Sequence, residues 1–297
     1  MSYTLDEIAT QPECWLRAAD AAVEAADALP RAGEDVAVIG CGTSLYMARS
    51  YAALRESAGH GRTDAFAASQ FPAGRRYERV IALTRSGTTS EVLRLIEELG
   101  RDARTAVPVT AITADGATPV AASAGQVIVL PFADERSVVQ TRFATTALAL
   151  LRAHLGEDLA QAVEDARGAL LDPLDPTLVA AEQVTFLGDG WTCGLADEAA
   201  LKMREAAGSW TESYPAMEYR HGPISIAAPG RAVWVFGPVP AGLDEDIART
   251  GATLVHTGGL DPLAGLILAQ RLAVARAEAA GLDPDRPRNL TRSVVLG

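Results

Sequence analysis

The sequence predicts an α/β protein of two subdomains, each a parallel sheet flanked by helices. Three observations carry that expectation. Short aliphatic, strand-like runs alternate with helical stretches through the first half. An opening of strand, glycine turn and helix occurs twice along the chain. The length of 297 residues, 48% of them hydrophobic, suffices for two cores at a usual size of about 150 residues each.

The elements follow in order. Residues 5–29 are alanine-rich, with Ile8, Trp15, Leu16 and Val23 available for burial, and read as one helical lead-in closed by Pro30. Val36 to Ile39 is a strand that enters Gly40, Cys41, Gly42, Thr43 and Ser44, with a helix from Leu45 to Ser57 behind it. Further strands are expected at Asp64 to Ala68, Val80 to Leu83, Val107 to Thr113 and Gln126 to Leu130. The second of these, the third strand of the chain, runs straight into a turn carrying Thr84, Arg85, Ser86, Gly87, Thr88 and Thr89. Thr88 and Glu91 have capping-box spacing, so a helix is expected from near Thr89, with Val92, Leu95, Ile96 and Leu99 on its apolar face and Gly100 at its end. Hydroxyl donors, a glycine and the positive end of a helix dipole together suit a phosphate, although a turn of this kind also occurs as an ordinary helix cap. If the strand order is flavodoxin-like, the carboxyl ends of the first and third strands meet at a switch point where ligands sit. Those ends are Gly42 to Ser44 and Thr84 to Thr89.

A further helix is expected from Arg142 to about Leu155, and Pro173 and Pro176 precede a new strand. The domain boundary is therefore placed between Gly156 and Pro176, dividing the chain into residues 1–160, with the phosphate turn, and 161–297. Val184 to Thr192 repeats the pattern of Val36 to Ser44, and strands are expected at Ala232 to Phe236, Thr253 to His256 and Val294 to Leu296. Where the first half has its hydroxyl turn the second has Gly237 to Pro240, so phosphate is expected in the first half alone.

The formal charge of −12 argues against nucleic acid or an anionic membrane as partner. No apolar run reaches the roughly 18 residues of a membrane span, and the N-terminus lacks the basic start and apolar stretch of a signal peptide, so the cytoplasm is expected. Cys14, Cys41 and Cys193 are far apart, with no metal-ligand cluster around them, and read as reduced structural thiols. The Gly-Cys-Gly fragment lacks the third glycine of a dinucleotide fingerprint, so neither cofactor nor metal is expected.

Three groups could do chemistry. Lys202, the sole lysine, and Glu205 lie three apart on one helical face with Glu198 a further turn back, a spacing that also fits a surface ion-pair face. His221 follows in Tyr219 to Ile224, and Asp285 to Ser293 forms a basic tail.

Six blocks in this order, Gly40 to Ser44, Thr84 to Thr89, Glu135 to Thr141, Ala200 to Glu205, Glu218 to Pro223 and Asp285 to Val294, resemble the double sugar-isomerase (SIS) domain family. That family includes the isomerase half of glutamine-dependent glucosamine-6-phosphate synthase, amino-sugar phosphate deaminase/isomerases and fructosamine-6-phosphate deglycases. The resemblance implies two flavodoxin-like subdomains, a homodimer with sites near subunit interfaces, and a six-carbon sugar phosphate as ligand. It implies that Ser44, Thr84, Arg85, Ser86 and Thr89 hold the phosphate, that Glu205 is the enolising base and that His221 assists ring opening. Thr43, Gln140 and Arg292 are expected as further substrate contacts, and Lys202 as a positioning or polarising group beside Glu205. The expected activity is isomerisation, or isomerisation with loss of an amine, of a hexose or hexosamine 6-phosphate through an enediol or enediolamine; the alternative is a non-catalytic sugar-phosphate-binding regulator. No glutaminase segment opens the chain, so glutamine is not expected to supply nitrogen. Arg292 stands where synthase-like tails carry lysine.

Overall fold

The computed structural model describes residues 2–72, 74–101 and 106–296. In chain order the elements are α1 (Tyr3–Ala9), α2 (Gln11–Glu24), β1 (Val36–Gly40), α3 (Thr43–Ser57), β2 (Thr63–Ala67), β3 (Arg79–Leu83), α4 (Ser90–Gly100), β4 (Val109–Thr113), α5 (Pro119–Ser123), β5 (Gln126–Val129) and α6 (Arg142–His154). They continue with α7 (Ala160–Leu171), α8 (Pro176–Ala180), β6 (Gln183–Gly188), α9 (Thr192–Ala207), β7 (Trp210–Pro215), β8 (Ala232–Val235), α10 (Leu243–Thr250), β9 (Thr253–His256) and α11 (Pro262–Ala279).

Two compact units result. The first comprises Glu13–Glu135, Arg142–Leu159 and Thr291–Gly297, and the second Met1–Pro12, Arg136–Thr141 and Ala160–Leu290. The first unit holds a five-stranded sheet of order β2-β1-β3-β4-β5, parallel throughout. The second holds a four-stranded parallel sheet, β7-β6-β8-β9, which repeats the same winding with one strand fewer. Both are flavodoxin-like, as the alternation of strands and helices requires.

The aliphatic runs become strands because both sheet faces are covered. Every residue of β1, β3 and β4 is buried. Val92, Leu95 and Ile96 of α4 pack into the cluster formed by Ala37, Ile39, Val80 and Ala82. The duplicated glycine turns share one geometry. A Cβ on Gly40 would collide with the backbone of Ser44, and one on Gly188 with the backbone of Thr192, so each strand end lies directly under the helix that follows it.

Three expectations are corrected and one strand is added. The lead-in is two helices, broken at Thr10, because Pro12 has no N–H to continue the ladder and the Thr10 hydroxyl turns back onto the Glu7 carbonyl. The Thr88–Glu91 capping box does not form: Thr89 is the N-cap of α4 without a side-chain cap, and the Thr88 hydroxyl is engaged elsewhere. Val294 to Leu296 is not a strand, since its backbone bonds run to Ser90 rather than to a sheet edge. Strand β7 was not anticipated, because Trp-Thr-Glu-Ser-Tyr-Pro carries too little aliphatic signal and begins two residues after the helix-closing Gly208.

Candidate active site

In the first unit β1 and β3 are adjacent and parallel, which sets the two hydroxyl-bearing turns at neighbouring strand ends. Thr43 and Ser44, 4% and 6% exposed, lie in the first turn of α3, and Ser86 to Thr89 run into α4. Gly87 has φ +62°, and any Cβ there would meet Thr118, so the turn closes tightly only with glycine. Thr84 Oγ1 is buried with no hydrogen-bond partner. Buried hydroxyls are normally paired, so this one at a strand end is a donor available to an acceptor oxygen.

Arg85 is more constrained than its sequence position suggests. Its guanidinium is 3.5 Å from Glu135, both side chains being buried, and it donates to the Arg292 carbonyl at 2.8 Å. The C-terminal segment thereby lies along the turn. Ser293 Oγ is 3.1 Å from Ser86 Oγ and 2.9 Å from Thr88 Oγ1, the Val294 carbonyl accepts from the Ser90 N–H, and the Leu296 N–H donates to Ser90 Oγ. The Arg292 side chain turns outward from this contact, donating to the Glu135 carbonyl and pairing with Asp134.

In the second unit α9 carries the ionisable cluster. Its alanines (Ala196, Ala199, Ala200 and Ala206) favour helix and allow close packing against α11, and Gly208, in the left-handed conformation, ends it. Lys202 is 1% exposed; its ammonium is 3.5 Å from Glu198 and in contact with Glu205. This is not the solvated surface face that the spacing also allowed. Glu198 is buried, while Glu205 retains 20% side-chain exposure, so it is the open end of the array. The Glu205 carboxylate also lines a cavity of about 460 Å³ with Arg204, Arg286, Arg288 and Asn289.

The remaining candidates lie on other elements. His221 is exposed where a short 3₁₀ turn, Glu218–Arg220, ends, its backbone N–H bonded to the Glu218 carbonyl. Gln140, in the second unit, is half-buried, and its amide nitrogen is a buried donor with no partner. The structure therefore joins Lys202 to Glu205, and Ser86 to the tail, on separate elements of separate units. The site list drawn from sequence omitted Glu198 and Ser293. Spacing already set the first beside Lys202 without giving it a role; the second has no local signal, since only the fold carries residue 293 to residue 86.

The cysteines are unsuited to nucleophilic work. Burial, reinforced by Asp197 and Asp189, pushes the Cys193 thiol up to about 11, and burial likewise raises those of Cys41 and Cys14. No described helix is long and apolar enough to cross a membrane.

Two parallel α/β units, a hydroxyl turn at one switch point and a carboxylate–lysine helix in the other unit define a class, the double sugar-isomerase-domain proteins, and this chain has that fold. Its relatives agree. A glutamine–fructose-6-phosphate aminotransferase (isomerizing) of Neisseria meningitidis is 29% identical over 325 residues, covering 88% of this chain and 51% of that protein, so the chain spans about half the length of that curated relative. Among solved structures, a glucosamine-6-phosphate deaminase of Thermotoga maritima superposes with TM-score 0.85 at 23% identity, over 99% of this chain and 100% of that one. The tagatose-6-phosphate ketose/aldose isomerase of Escherichia coli gives 0.80 at 20% identity, over 100% and 96%. No family model matches the chain.

Proposed function

We propose that the chain is an enzyme that isomerises a hexose or hexosamine 6-phosphate, or isomerises it with loss of its amine. The observation that carries this reading is the sole lysine, buried between two carboxylates of which only Glu205 stays open. A buried ion pair contributes little net stability against its desolvation cost, so its presence beside Glu205, which lines a cavity, supports a chemical role. The relatives' names support the same substrate class.

In this reading Ser44, Thr84, Ser86 and Thr89 bind the phosphate, and Arg85 acts on it through the tail and Glu135 pair rather than as a free cation. His221 moves a proton between ring oxygen and the anomeric hydroxyl to open the sugar. Glu205 then takes the proton from the carbon beside the carbonyl and returns it to the neighbouring carbon, with the enediol between. The Lys202 ammonium, in contact with Glu205, holds that carboxylate in position and loses one partner's charge as Glu205 accepts the proton. For a 2-amino sugar the same transfer leaves an imine at C2; water adds there and the amine departs. Thr43, Gln140 and Arg292 are placed as further substrate contacts, residues 1–160 and 161–297 as the two functional halves, a homodimer as the assembly and the cytoplasm as the compartment.

The test is to incubate the protein with a panel of hexose and hexosamine 6-phosphates while measuring product sugar and ammonia. Turnover of one of them is expected. Binding without turnover across the panel would replace this reading by that of a sugar-phosphate-responsive regulator.

A further inference from the structure

Segment Arg136–Thr141 forms neither helix nor strand, so its course depends on bonds from outside it. Glu7 of α1, in the same unit and 4% exposed, supplies some of them. Its Oε1 accepts the Arg136 N–H at 2.5 Å and the Ser137 N–H at 3.3 Å. Its Oε2 faces the Ser137 hydroxyl, whose single proton is shared between that oxygen and the Val139 carbonyl, 2.8 Å away. Burying a carboxyl group is costly unless it is hydrogen-bonded, and this one is directed at the segment.

Helix α1 is a firm base for that grip. At its start Asp285 accepts the Tyr3 and Thr4 N–H groups at 2.8 and 2.9 Å and the Thr4 hydroxyl at 2.7 Å. Just beyond its end, Gln11 Nε2 donates to Gln270 Oε1 of α11 at 2.7 Å. Glu7 lies between these anchors. Three residues past Ser137, the Gln140 amide nitrogen is a buried donor with no partner among the described residues, and a buried donor calls for an acceptor. We propose that Glu7 is a positioning residue for the substrate: by holding the backbone at Arg136 and Ser137 it sets Gln140 where its amide donates to the bound sugar phosphate. This rests on the reading of Gln140 as a substrate contact. Glu7 touches no reacting atom and acts through Gln140.

The experiment is titration calorimetry of the full chain with fructose 6-phosphate and with glucosamine 6-phosphate, in the Glu205→Gln background, which does not consume the sugar. The background is compared with added Glu7→Asp, Glu7→Gln, Gln140→Leu, Glu7→Asp together with Gln140→Leu, and Thr4→Val. Aspartate draws the carboxyl group back by one methylene, whereas glutamine keeps an oxygen at full reach. Gln140→Leu removes one hydrogen bond, equivalent to about fivefold in affinity. Glu7→Asp is expected to weaken binding by up to that factor and Glu7→Gln to restore most of it. The double variant should bind no more weakly than Gln140→Leu, because the two residues act in series. Thr4→Val, which takes one bond from the Asp285 anchor, should bind like the background. Losses that multiply in the double variant, or a Thr4→Val loss equal to that of Glu7→Asp, make Glu7 a general support of the fold and overturn the proposal. Unchanged binding by Glu7→Asp overturns it too. If Gln140→Leu binds like the background, Gln140 is no substrate contact and the proposal falls, while the phosphate turn and Glu205 keep their roles. If the background binds neither sugar phosphate, the functional reading loses its ligand and the proposal is overturned with it. Should Glu7→Asp not fold, Ser137→Ala, which removes only the hydroxyl arm of the grip, carries the same cycle.

Discussion

Lys202 stands 3.5 Å from Glu198 in the interior of one helix, with about 1% of either side chain exposed. Two opposite charges this close and this buried interact strongly, and the interaction is measurable.

Lys202→Met removes the ammonium that stands 3.5 Å from the buried Glu198 carboxylate. Breaking a buried pair from one side costs about 3–5 kcal/mol, so the urea midpoint should fall sharply. The double variant Lys202→Met with Glu198→Leu replaces both charges by apolar groups and should regain most of that loss. A double variant no more stable than the single one would show that the pair is not an isolated stabilising unit.

Glu205→Gln keeps the shape of the side chain and removes its ability to take a proton. The folded content and phosphate affinity should match wild type, while solvent-deuterium exchange at the carbon beside the sugar carbonyl should disappear. Exchange at the wild-type rate assigns the base to another residue.

Arg292 cannot form an imine, since its guanidinium does not lose a proton in proteins, and here it is committed to Asp134 and the Glu135 carbonyl. Borohydride added during turnover should therefore give no covalent sugar adduct in the intact mass. An adduct mapped to Lys202, the one lysine, would replace direct enolisation by an imine route.

Much of the fold was legible because both sheets are covered on two faces, which turns strands such as Val36 to Ile39 and Val80 to Leu83 into unbroken aliphatic runs. What escaped was set by partners remote in sequence. Trp210 to Pro215 pairs as a strand only because β6 lies beside it, and its polar alternation is an edge pattern. The tail read as a strand from Val294, Val295 and Leu296, all more than half exposed, but its backbone is spent on the Ser90 turn. Within the site, the residue types and the spacing of Glu198, Lys202 and Glu205 were visible, whereas their burial was not, because Ala-rich surroundings make a buried helix and a surface helix read alike. The same limit hid the engagement of Arg85, which the resemblance gave as a phosphate contact and the fold pairs with Glu135.

The division of the chain carries a thermal consequence. Passing from Pro12 to Glu13, Glu135 to Arg136, Thr141 to Arg142, Leu159 to Ala160 and Leu290 to Thr291, the backbone moves between the units five times. Neither unit is one continuous stretch, and each includes a segment whose flanking residues belong to the other. Melting one therefore tugs on short connections anchored in its neighbour, so a heating scan should give a single absorption peak with calorimetric and van't Hoff enthalpies in agreement, where two domains strung end to end would give two.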